Sequence, residues 1–202
     1  MKLSQFRLNL VATLFCLIPA FCNAHPGHAD TMSLASGLIH PFSGLDHFLV
    51  ILLVGFWSAL AFKRMWFGPM SFLAGMLLGS IAGLFAATTQ TLEFAISASV
   101  IATGVLLLVN RKFSEQLSLT LLASFGVIHG LAHTGYLPAL NGENLTSIGM
   151  DLLGLLIGTA TLHFAGLLCA KNLIKRLPLM IKATGLGTLL YGSFLLTQLA
   201  LS

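Results

Sequence analysis

The sequence predicts an all-α bundle of membrane-spanning helices, and three observations carry that expectation. Charged residues make up only 8% of the chain and hydrophobic ones 56%, against about 25% charged in a soluble domain. The mean hydropathy is +0.93. Apolar runs near the roughly 20 residues that cross a bilayer recur along the chain, separated by short loops that hold most of the ten Lys and Arg.

The first run belongs to an expected secretory signal, residues 1–24. Lys2 and Arg7 supply the basic start, Leu8 to Ile18 the apolar stretch, and Cys22-Asn23-Ala24 a small-residue cleavage site. Cleavage after Ala24 opens the mature chain with His25-Pro26-Gly27-His28-Ala29-Asp30. That tail gathers an α-amine, two imidazoles and a carboxylate, a candidate capture site for a cation. A solvated tail is the bland alternative.

Six spans are expected in one domain, residues 25–202, near 40–62, 66–88, 92–109, 117–138, 147–169 and 179–201. Gly75 with Gly79, and Gly154 with Gly158, have the small-xxx-small spacing that lets helices approach closely. Lys63 and Arg64 follow the first span, Arg111 and Lys112 the third, and Lys171, Lys175, Arg176 and Lys182 lie between the fifth and sixth. The positive-inside rule then places both mature termini outside, with every basic loop in the cytoplasm. The basic balance, pI about 9.2, thus reads as topology rather than nucleic-acid binding. Of three cysteines, only Cys169 lies beyond the signal, so no internal disulfide and no CxxC metal site is expected.

His40-Pro41-Phe42-Ser43-Gly44-Leu45-Asp46-His47 opens the first span. An Asp at the centre of a spanning helix costs about 2.5–3.5 kcal/mol on insertion scales, so one at membrane depth calls for a partner or a job. His40 and His47 are two turns apart and share a face if one helix runs through both. Imidazole nitrogen and carboxylate oxygen suit a borderline divalent cation. In the fourth span His129 and His133 stand four apart, where two rings on one face can chelate an ion. The HExxH glutamate is absent, so this is no zincin site. Glu93 and His163 complete the candidate donors. Glu93 and Asp151 each sit near an expected helix start, where capping is the plainer role. Membrane histidines also serve simply as inter-helix hydrogen bonders.

These stretches resemble the HupE/UreJ family of nickel/cobalt permeases over the whole mature chain. His40-Pro41-x-x-Gly44-x-Asp46-His47 is similar to the family's first-helix signature, and residues 93–100 to its third-helix motif. His129-Gly130-x-Ala132-His133 resembles the fourth-helix motif, and Thr161-Leu162-His163 with Gly166 the fifth. The resemblance implies import of Ni²⁺ or Co²⁺ across a bacterial inner membrane, with His40, Asp46, His47, His129 and His133 as translocation residues. It implies no enzyme activity and no permanent cofactor. The family pattern carries a Glu three residues after the H-x3-H pair, where this chain has Tyr136. Two other classes fit the histidines: a b-type haem held by His47 and His129, or a metal sensor or chaperone that does not transport.

Overall fold

The computed structural model describes residues 32–85, 89–109, 113–134, 144–173 and 178–202. The expected signal, the His25–His28 tail and Tyr136 lie outside the described residues. Among those described the fold is all-helical, with seven helices and no strand: α1 Leu34–Ser43, α2 Leu45–Ala61, α3 Phe67–Gly83, α4 Gln90–Val109, α5 Glu115–Thr134, α6 Leu145–Leu173 and α7 Pro178–Leu201.

The first expected span departs from its prediction. It is not one helix but two, α1 and α2, bent by 86° at Gly44. Pro41, inside the last turn of α1, has no N–H for the helical ladder. Gly44 then takes an extended conformation, φ −109° and ψ 129°. Ser43 Oγ donates to the His40 carbonyl at 2.7 Å, satisfying an acceptor that the broken helix leaves over. At its other end α1 is fixed by a reciprocal capping box between Ser33 and Ser36.

Three helices, α4, α6 and α7, are long and apolar enough to cross a membrane, and α1 with α2 makes a fourth if the bent pair is one span. The apolar α3, at 17 residues, is shorter. Helix α5 is diluted by Ser, Thr, Gly and His along its length. Large apolar side chains face outward around the bundle, among them Leu78, Phe85, Leu190 and Leu201. A soluble surface seldom carries so much contiguous apolar area; lipid is the solvent that suits it.

Packing pairs the helices through glycines. A Cβ on Gly75 or Gly79 of α3 would collide with the carbonyls of Ala123 or Val127 on α5, and one on Gly126 or Gly130 with those of Phe72 or Met76. Helices α1 and α6 meet the same way, through Gly37, Gly154 and Gly158, and α2 and α6 through Gly55 and Gly166. The small-xxx-small rows thus lie at helix contacts, where lipid supplies little hydrophobic drive and close van der Waals approach must hold the bundle. Gly79→Val is expected to lower stability by about 1–3 kcal/mol or more, because backbone must move to admit it. Thermal unfolding in detergent reads this out, and an unshifted midpoint would contradict the close contact. Beneath these seams lies a core centred on Val50, Ile51, Phe72, Val100 and Leu122, each at most 1% exposed.

Candidate metal site

The bend at Gly44 delivers the first signature residues to one place. His40 lies in the last turn of α1, and Asp46 and His47 in the first turn of α2. Though no single helix runs through them, the two rings meet edge to face with centroids 5.9 Å apart. Gly44 is needed here for room rather than for a special backbone angle. A Cβ on it would stand 2.6 Å from Asp46 Oδ1 and 3.5 Å from His47 Nδ1. Gly44→Ala is therefore expected to displace the carboxylate and lower metal uptake without lowering protein level; full uptake by that variant would show that the carboxylate's placement is unimportant.

Helix α5 brings the H-x3-H pair alongside, but each histidine takes a different neighbour. His133 packs on His40 at 4.3 Å between ring centroids, and His129 on His47 at 4.8 Å. Phe72 of α3 contacts the His129 ring at 5.6 Å and, on its other side of the file, the His163 ring at 5.0 Å. The order is His133, His40, His47, His129, Phe72, His163: five imidazoles from four helices, with one phenyl ring between the last two. This is a file rather than a shell. Among the described residues no three His, Cys, Asp or Glu donors already converge on one point that could hold a metal ion.

One nitrogen of each of four rings stands against an oxygen, three in hydrogen bonds and the fourth in an ion-pair contact. His129 Nδ1–H donates to the Phe125 carbonyl at 2.9 Å, one turn back on its own helix. His163 Nδ1–H donates across to the Ile51 carbonyl of α2 at 2.7 Å. His133 Nε2–H donates to Asp151 Oδ2 at 2.9 Å, and His47 Nδ1 lies 3.2 Å from Asp46 Oδ1. A carbonyl or carboxylate only accepts, so each contact fixes which nitrogen carries the proton. In a neutral ring the other nitrogen then keeps its lone pair. Those remaining atoms, Nε2 of His47, His129 and His163 and Nδ1 of His133, are all buried with no hydrogen-bond partner. Buried polar atoms rarely go unsatisfied, and an imidazole anchored through one nitrogen and bare at the other is how metal-ligating histidines are held.

Asp151 is the residue that sequence reasoning undervalued. It does not cap α6. That role falls to Asn144, whose Oδ1 accepts the Ser147 backbone N–H at 2.8 Å. Asp151 lies further along the helix and takes two partners, His133 and Ser36 Oγ, the latter at 2.5 Å. One carboxylate thus ties α6 to α5 and α1. Glu93 stands half-buried in the first turn of α4.

The profile of the HupE / UreJ protein family matches residues 13–195. The chain belongs to the HupE/UreJ family. Protein HupE of Rhizobium leguminosarum bv. viciae is 32% identical to it over 199 residues, 97% of this chain and 99% of that protein. No solved structure matches this HupE/UreJ chain. Family membership and the outward apolar faces together make it a multi-pass membrane protein.

Proposed function

We propose that this HupE/UreJ chain is a permease that carries Ni²⁺ or Co²⁺ inward along the histidine file. Its family is associated with nickel and cobalt transport. The observation that carries the reading is the set of four imidazoles, each with one nitrogen against an oxygen and the other buried with no hydrogen-bond partner. Neutral imidazole lone pairs suit a borderline dication, and Asp46, Glu93 and Asp151 supply the negative charge that offsets its desolvation. The donors lie in sequence along the bundle, so the ion exchanges ligands stepwise, with His40, Asp46, His47, His129 and His133 before Phe72 and His163 beyond it. A file fits conduction, which needs several sites each weak enough to leave.

In this reading α1 with α2 forms a broken first span, and α3 to α7 supply five more. A helix interrupted at membrane depth is tolerated where the break lines a polar cavity, as at Gly44. Under the positive-inside rule the Asp46 end of the file faces outside, with the expected His25–His28 tail feeding it, and Lys63, Arg64, Lys171 and Lys182 lie in the cytoplasm. The sequence holds no GxxxxGK[ST] phosphate loop. The membrane potential alone gives about 2.3 kcal/mol per charge per 100 mV.

Uptake of radiolabelled nickel and cobalt into proteoliposomes tests the function. Saturable uptake of either ion, with mutual competition, is expected; metal binding without accumulation would instead make this a sensor or chaperone. Protons compete for the same lone pairs. In the state that opens to the medium, uptake is expected to fall as pH drops below about 6.5, the ordinary histidine value. A flat profile between neutral and mildly acidic medium would count against imidazole ligation. The haem reading fares worse. His47 and His129, the pair that would bridge a haem, are in direct ring contact at 4.8 Å. Purified protein is therefore expected to lack a Soret band.

A further inference from the structure

We propose that an anionic phospholipid docks in a cleft at the far end of the bundle from the histidine file. Helix α2 runs from Asp46 and His47 at one end to Ala59 at the other, and just beyond it lies a cavity of about 410 Å³. Its walls are apolar, with Ala59, Phe62 and Trp66 among them, and its cations are Lys63, Arg64 and Lys171. Lys171 comes from α6, more than a hundred residues from the other two, so the fold and not the sequence assembles the trio. Among the described residues no Asp or Glu forms an ion pair with any of them; the ion pairs there are His47 with Asp46 and His133 with Asp151. Arg64, although solvent-exposed, lies 5.6 Å from the centre of the Phe67 ring, itself part of the cleft lining.

Lys63, Arg64 and Lys171 are solvent-exposed and can be hydrated, but gathered around an apolar hollow they match an anion, and the hollow selects which kind. A free phosphate would use the cations and waste the walls. A phospholipid uses both: its phosphate sits among Lys63, Arg64 and Lys171, while its first acyl carbons cover Ala59, Phe62 and Trp66. Trp66 is 48% exposed and stacked on Phe164 of α6, the amphipathic ring that belongs at headgroup level. Basic clefts between membrane helices are where anionic headgroups bind. The site shares no residue with the metal file, so its failure would leave the transport reading standing.

The test is native mass spectrometry of the full chain released from vesicles of equimolar phosphatidylglycerol and phosphatidylcholine. The wild type is expected to retain phosphatidylglycerol preferentially. Each basic side chain near an anionic surface contributes roughly fivefold in affinity, so Lys63→Gln, Arg64→Gln and Lys171→Gln together lower retention on the order of 100-fold. Lys182→Gln, outside the cleft, leaves it unchanged. Thermal stability read in parallel should rise in phosphatidylglycerol over phosphatidylcholine for the wild type and not for the triple variant. Equal retention of both lipids by the wild type, or undiminished phosphatidylglycerol on the triple variant, overturns the proposal. So does displacement of the lipid by millimolar glycerol phosphate, which would make the free anion the ligand.

Discussion

Asp46→Asn is expected to abolish nickel and cobalt uptake while the protein still reaches the membrane in normal amount. The carboxylate stands 3.2 Å from His47 Nδ1, while the opposite nitrogen of the ring is buried with no hydrogen-bond partner. Asparagine has the same shape and can still place an oxygen beside Nδ1, so packing around Gly44 survives. What it loses is charge. A unit pair 4 Å apart is worth about 4 kcal/mol at an effective dielectric of 20, or about three powers of ten in occupancy. Normal transport by this variant would remove the leading residue from the proposed path.

Asp151→Asn is the second large effect, and it acts through other groups. Asp151 orients His133 by accepting from Nε2 and fastens Ser36 of α1. Loss of such an outer partner lowers metal affinity or activity by about 10- to 100-fold. The amide keeps one acceptor oxygen and turns the other into an N–H donor, so the two contacts of Asp151 can no longer both be accepted and the negative charge beside His133 is gone, while the helix contacts through Gly37 and Gly154 remain. The expected signature is a raised KM for nickel with little change in the unfolding midpoint. An unaltered KM would show that His133 needs no orienting partner; a collapse of the midpoint with uptake lost would make Asp151 a structural tie alone.

Much of this arrangement was legible before any coordinates. Low charge and repeated apolar runs announced a helical membrane bundle, and residues of three candidate segments, His40-to-His47, His129-to-His133 and His163, do meet in one file. The glycine rows foretold close helix contacts. The break at Gly44 was less legible, because apolar character continues on both sides of it and a single Pro-to-Gly stretch is compatible with either a kink or a full turn of direction. Asp151 stands near an expected helix start, where capping is the plainer role; the observed first turn at Leu145 gives that role to Asn144 instead. Phe72 carried no signal at all. An aromatic in an apolar run reads as packing, and its place between His129 and His163 depends on how α3 meets α5 and α6. Nor could spacing reveal that His129 and His133, one turn apart, would face different rings.

The central claim is that buried imidazoles of this file ligate the ion in transit, and nickel K-edge X-ray absorption of the metal-loaded protein tests it most directly. The account predicts a nitrogen and oxygen shell with imidazole ring scattering and no sulfur, weakened when His47→Gln and His129→Gln are combined. Nickel bound without imidazole scattering, or a spectrum that the double substitution leaves unaltered, would contradict it.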